Sequence, residues 1–245
     1  MSLMIGGFLV TGASNAMNQI MERELDAKMD RTKERPLPTH RISVMEALLM
    51  GVLSGVLGIS LLWFFVNPLT GILAALSLFV YVVLYTPMKR VSNFSVFVGA
   101  FPGAIPPMLG WVGATGYFGL EAGLLFAIQF MWQFPHFWAI AWISNDDYIK
   151  AGFKMLPSSQ GKNEFSAFII LLYALMLIPV SLTPLFFGMV NFWSGIFILM
   201  FGILFAIPAL RLYLNSDDKQ ARTLMFASFL YLPLILMIFF IDKFI

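Results

Sequence analysis

The sequence predicts an all-α fold, a polytopic bundle of transmembrane helices, on three observations. Hydrophobic residues make up 60% of the 245-residue chain and charged residues only 11%, against roughly 45–50% and about 25% in average soluble domains. Apolar runs of about 18 residues or more, long enough to cross a bilayer, recur along its whole length. Basic residues also fall only on alternate connections between those runs. Cysteine is absent, which excludes disulfides and thiolate metal ligands and leaves the redox compartment open. The net charge of +2 indicates no partner, and nothing points to nucleic acid.

Taken in order, the first span is expected over 3–22. It opens Met1-Ser2-Leu3-Met4-Ile5 without the basic segment of a cleavable signal, so it is expected to be retained. A connection bearing Arg23, Lys28, Arg31, Lys33, Arg35 and Arg41 leads to a span at 43–65. The uncharged turn Asn67-Pro68 leads to 69–87, and Lys89-Arg90 to 94–113, which holds Pro102, Pro106 and Pro107. The next connection, 113–118, has no Lys or Arg and precedes 119–143, with Pro135 inside it. Lys150, Lys154 and Lys162 separate this from 164–187, which contains Pro179. The uncharged 188–190 leads to 191–213, and Arg211, Lys219 and Arg222 flank the passage to the last span, 221–241. Every basic residue except Lys243 thus lies on one side, as do the acids except Glu121 and Asp242. The positive-inside rule makes that side cytoplasmic (or matrix) and puts both termini on the other. Prolines within spans read as kinks lining a cavity or meeting a neighbouring helix.

The chemistry is expected on the basic face. Asn18, Glu22, Asp26 and Asp30 succeed one another at four-residue steps, so a continuing helix keeps them on one slowly drifting face. Stacked carboxylates repel unless a cation sits among them. Spread over roughly 18 Å of helix, these oxygens suit Mg²⁺, which is held by one or two carboxylates plus substrate phosphates. Arg31 and Arg35 suit diphosphate oxygens. The blander reading is a solvated helix laced with pairs such as Glu22–Arg23 and Glu24–Lys28. A second cluster on the same face holds Asn145, Asp146, Asp147, Tyr148 and Lys154: either Asp is a candidate ligand, Tyr148 a hydroxyl donor and Lys154 a counter-charge to a leaving group, or the stretch is an ordinary loop. Lys89 and Arg90, after Tyr85-Thr86-Pro87, either bind an anion or anchor a helix at the interface. His136, inside a span, is a candidate for haem ligation or orientation or proton relay, or is a buried histidine satisfied by a carbonyl.

These residues resemble a known pattern. Asn18-x3-Glu22-x3-Asp26-x3-Asp30-Arg31-Thr32-x2-Arg35-Pro36-Leu37-Pro38 is similar to the first aspartate-rich motif of UbiA-type intramembrane prenyltransferases. With Tyr85-Thr86-Pro87-x-Lys89-Arg90, Pro102-Gly103-Ala104-x-Pro106-Pro107-x-x-Gly110-Trp111, Pro135-His136-Phe137-Trp138 and Asp147-Tyr148-x-x-Ala151-Gly152-x-x-Met155-Leu156-Pro157, it resembles the haem-farnesylating branch of that family along nearly the whole chain.

The resemblance implies a single UbiA-type domain over 1–245 and transfer of farnesyl from farnesyl diphosphate to a vinyl group of haem B. Water is added and diphosphate released. It further implies Mg²⁺ and diphosphate at Asn18, Glu22, Asp26 and Asp30, with Asp147 completing the metal set, and diphosphate contacts at Lys89, Arg90 and Lys154. The haem side falls to His136. Residence in a bacterial inner membrane and a haem A synthase or oxidase-assembly partner are expected with it. The family's usual fold has one more span ahead of the helix carrying the stripe, so the sequence reads as N-terminally incomplete. A related enzyme prenylating a quinone or chlorophyll precursor, a carboxylate-lined cation transporter and a non-catalytic assembly factor are the other readings.

Overall fold

The computed structural model describes residues 1–244. Among them lie nine helices and no strand: α1 (Ser2–Asp26), α2 (Val44–Phe65), α3 (Pro68–Met88), α4 (Ser95–Thr115), α5 (Leu120–Ile143), a short α6 (Asn145–Ala151), α7 (Glu164–Phe186), α8 (Phe192–Asn215) and α9 (Asp218–Asp242). Each expected span is a helix. Six of them, α2, α3, α4, α7, α8 and α9, are long and apolar enough to cross a membrane. The other two, α1 and α5, have 25 and 24 residues but interrupt their apolar runs with polar side chains such as Asn18, Glu22 and His136.

Starts and stops arise from local chemistry. Ser43 accepts from the Glu46 amide while Glu46 reaches back to the Ser43 amide, so two of the free donors at the α2 start are satisfied. Asn67, Asn163, Asn191 and Asp217 cap α3, α7, α8 and α9 in the same one-sided way. Pro68 sits in the first turn of α3, where no amide is needed. Gly116, at φ +77°, takes the left-handed conformation that ends α4.

Two compact units make up the chain. The first comprises Met1–Phe118 with Asp146–Lys154. In it α1 packs along α2, and α3 lies against α2 and α4. A Cβ at Gly58 would lie 2.9 Å from the Gly6 carbonyl oxygen, so the α1–α2 approach needs small residues here. The second unit, Gly119–Asn145 with Met155 onward, closes a ring in which α5 touches α7, α7 touches α8, α8 touches α9, and α9 returns to α5. At one end of it Asp242 accepts from the Asn191 amide at 3.1 Å and from the Ser194 hydroxyl, clamping the end of α9 to the start of α8.

One departure from regular helix positions the site. Residues Val80–Tyr85 of α3 form a π-turn, closed by the Thr86 amide on the Tyr81 carbonyl. Pro87 supplies the reason: its ring crowds the carbonyl four residues back and offers no amide to it, so the helix widens by one residue. The extra residue rotates the downstream segment, including Lys89, by about 100° relative to a straight α-helix.

Candidate functional site

The α1 stripe is real as far as Asp26. Asn18, Glu22 and Asp26 form a buried row at 7%, 5% and 0% exposure. Buried carboxylates need partners, and these come from outside the helix. Lys89, rotated inward past the π-turn, places Nζ 2.8 Å from Asn18 Oδ1 and 2.7 Å from Glu22 Oε1. The contact with Glu22 is a close ion pair, though off hydrogen-bond direction. Asn18 Nδ2 donates to the other Glu22 oxygen at 2.9 Å, and Thr86 Oγ1, which donates to the Tyr81 carbonyl at 2.9 Å, lies 3.3 Å from Asn18 Oδ1. The Lys89 ammonium also lies 4.8 Å from the centre of the Tyr85 ring. Burial pulls its pKa down, and Glu22 opposes that pull. Arg35 Nη1 bridges both oxygens of Asp26 at 3.0 and 2.8 Å.

Asp30 is not on the row. The helix stops at Asp26, where the amides of Lys28 and Met29 turn back three residues instead of four. Thr32 Oγ1 then takes the Asp26 carbonyl at 2.9 Å while Arg35 takes its side chain. A folded-back loop therefore replaces the next helical turn, and the four-residue spacing has no geometric meaning beyond it. The charge pairs Glu22–Arg23 and Glu24–Lys28 are likewise replaced, by Glu22–Lys89 and Arg23–Glu24.

Asp30 instead joins the second cluster in the exposed 27–41 loop. It bonds Lys33 at 2.8 Å and Lys150 at 2.6 Å, which hold its carboxyl down at about 2, Lys150 acting most. Asp147 accepts from the backbone amides of Asp30 at 3.2 Å and Arg31 at 3.1 Å. Burial raises its pKa, but the two amides and Lys150 outweigh burial and the net shift is downward. The Arg31 guanidinium lies 5.9 Å from the centre of the Tyr148 ring. Lys154 is exposed, and its amide donates to the Lys89 carbonyl at 2.9 Å, tying the two segments together. Asp146 is exposed at the start of α6. Among the described residues no three His, Asp or Glu side chains converge as a ready-made metal cage.

Two cavities lie within this unit, and Glu22 of the row lines one of them. One of about 520 Å³ is lined by Glu22, Thr86, Arg90 and Gly152 among others. The other, of about 360 Å³, is mostly apolar and runs along α1 from Leu3 to Asn15, against Ser77 and Tyr81 of α3 and Pro102 and Pro106 of α4.

In the second unit, His136 is buried at 7% exposure, with Nδ1 2.7 Å from Ser228 Oγ. Trp132 stacks on it at 4.5 Å, and its indole donates to the Ser228 carbonyl at 2.9 Å. Thr86 and Thr32 carried a weak signal in the sequence, standing inside the motifs around Lys89 and Asp30. Ser228 carried none, being 92 positions from its partner.

Buried carboxylates balanced by cations, on the same helix that lines an apolar pocket further along, are suited to a charged headgroup with an apolar tail. Residues 1–232 match the UbiA prenyltransferase family, and the chain belongs to it. It is an integral, multi-pass membrane protein, and members of the family generally use a divalent metal to bind diphosphate. The chain is 50% identical to a protein of Christiangramia forsetii, over 99% of this chain and 82% of that one, and 47% identical to one of Flavobacterium psychrophilum over the same shares. A third relative, from Cytophaga hutchinsonii, is 47% identical over 98% of this chain and 84% of its own. All three are named protoheme IX farnesyltransferase. A solved structure, described in connection with digeranylgeranylglyceryl phosphate synthase in membranes, superposes with a TM-score of 0.78 at 20% identity, over 98% of this chain and 84% of that one, and shows the shared fold.

Proposed function

We infer that the chain transfers the farnesyl group of farnesyl diphosphate to a vinyl group of haem B, giving haem O and diphosphate. The observation that carries the reading is the buried row Asn18–Glu22–Asp26, balanced by Lys89 and Arg35, on the helix that lines the apolar pocket. Identity of 47% to 50% with proteins named for farnesyl transfer to protohaem supports it. In the reaction the farnesyl C1–O bond breaks and its electron pair leaves with diphosphate. The vinyl π electrons make the new C–C bond, and the cation left beside the porphyrin ring is captured by water, which loses a proton.

We assign Lys89, Arg90, Arg35, Arg31 and Lys154 to the diphosphate, where fixed positive charge stabilises the departing anion. Asn18, Glu22 and Asp26 present hard oxygen ligands, which fit Mg²⁺ bound jointly with phosphate oxygens. When bound, the metal adds to neutralisation of the leaving group. Asp30, Asp147 and Tyr148 hold the 27–41 loop to α6, and Asp30 and Asp147, which lie off the row, are assigned as further metal ligands on the loop side. Tyr85 backs Lys89, Asp146 contributes to the charged mouth, and the apolar pocket takes the farnesyl tail and keeps water from the allylic cation. His136 is assigned to the haem acceptor. The one-sided basic connections support a mouth on the cytoplasmic side, which we assign to a bacterial inner membrane, with product passing to a haem A synthase or oxidase-assembly partner.

The test is incubation of membranes containing the chain with haem B, farnesyl diphosphate and Mg²⁺, with haem O followed by chromatography and mass. Product formation that falls on the order of 10²–10³-fold in Asp26→Asn, with protein level unchanged, is the expected result. Full activity in that variant sinks the metal and diphosphate assignment.

A further inference from the structure

We propose that Ser228 is a positioning residue that holds His136 as its Nδ1–H tautomer and so offers the Nε2 lone pair to the iron of the haem substrate. The inference rests on the assignment of His136 to the haem acceptor and adds to it a proton count. Ser228 Oγ has one hydrogen and two neighbours. One is the Met225 carbonyl oxygen at 2.5 Å, the other His136 Nδ1 at 2.7 Å. A carbonyl oxygen can only accept, and two oxygen lone pairs at 2.5 Å would repel, so the hydroxyl hydrogen lies on the Met225 contact. The hydrogen between Ser228 and His136 must then come from the imidazole. Nδ1 is protonated, and Nε2 carries the lone pair.

The surroundings select a ligand over a base. Ser228 is the only polar partner of His136 among the described residues, so no carboxylate is at hand to stabilise an imidazolium. The ring is faced by flat apolar surfaces: Trp132 stacked at 4.5 Å, Phe229 edge-on at 5.1 Å and Phe137 at 5.3 Å. Trp132 also locks the Ser228 backbone through its indole, so hydroxyl and imidazole are held from both sides. A neutral imidazole donating its second nitrogen to a fixed acceptor is the arrangement in which protein histidines bind metals.

Two measurements test this. The chain has only two histidines, so ¹⁵N-histidine labelling of the detergent-solubilised protein without haem gives two signal sets, and His136→Gln identifies one. The expected spectrum shows His136 protonated at Nδ1; protonation at Nε2 overturns the proposal, whatever the variants do. The second is haem B titration with absorption and resonance Raman readout. Ser228→Ala is expected to weaken haem B binding about 10-fold or more and lower the iron–histidine stretching frequency, and Ser228→Thr to restore both. If His136→Gln loses the iron–histidine band while Ser228→Ala matches the parent protein, Ser228 has no positioning role and the haem assignment of His136 stands. An unchanged spectrum in His136→Gln removes the assignment of His136 itself, and the inference with it.

Discussion

The buried polar row on α1 and the buried histidine on α5 are held by different means. Glu22 and Asp26 are full charges, and each is matched by a cation brought from another segment, Lys89 or Arg35. His136 is matched by a single hydroxyl. The difference reflects the cost of burial: an unpaired ion costs several kcal/mol, a neutral polar group about 1–3. It also marks what each region is built to meet. A row of balanced charges can exchange its partners for a charged ligand without a net charge being stranded. A neutral ring with one nitrogen fixed leaves the other for a neutral bond.

The largest expected effect comes from unbalancing the row. Lys89→Met strands Glu22, and we expect a loss of about 3–5 kcal/mol of stability and of farnesyl transfer. Thermal unfolding in detergent measures the first, and a melting temperature equal to the parent's would mean that Glu22 is not paired as described. Adding Glu22→Gln to Lys89→Met is expected to recover most of the stability and none of the activity, because it removes the buried charge but not the need for it. Recovery of turnover in the double variant would separate the row from the chemistry. On the α5 side, His136→Gln is expected to cost only about 0.5–1.5 kcal/mol, since it leaves no ion behind. A loss matching that of Lys89→Met would erase the contrast between the two regions.

The smallest effect belongs to the exposed pairs of the loop. Asp30 has its pKa depressed from 3.8 to about 2, so its contribution is present above about 3.8 and fades as pH falls toward 2. Lys150 is raised above its usual 10.5, so its share holds through neutral pH and is lost only when pH climbs past that value. Protease nicking of the 27–41 loop is therefore expected to be flat from about pH 4 to 10 and to rise on either side. Salt should blunt the effect, because both groups face solvent. A steep change near pH 6 or 7 would show that another group holds the loop.

How far the sequence could be read depended on the range of the forces involved. Apolar runs and one-sided basic residues are summed along the chain, so eight long helices were legible without tertiary information. So was the grouping of Lys89 and Arg35 with the carboxylate row among the charged connections, though not their ion pairs with Glu22 and Asp26. Extending the row to Asp30 failed because spacing assumes that the helix continues, and its end is set by Thr32 and Arg35 folding back onto Asp26. The π-turn that turns Lys89 inward was not read either, although its cause, Pro87, stood in plain sight. Ser228 was beyond reach, since nothing local marks a serine that meets a histidine 92 positions away.

By itself, then, the sequence determined an all-helical membrane protein, the alternation of its basic connections and the residue types available for chemistry. Hydrophobic partition and charge asymmetry act on each segment regardless of its neighbours. The tertiary structure alone decided which acid pairs with which base, where the stripe ends and which imidazole nitrogen keeps its lone pair. Those depend on contacts between distant segments, and at hydrogen-bonding range a single turn of helix changes the partner.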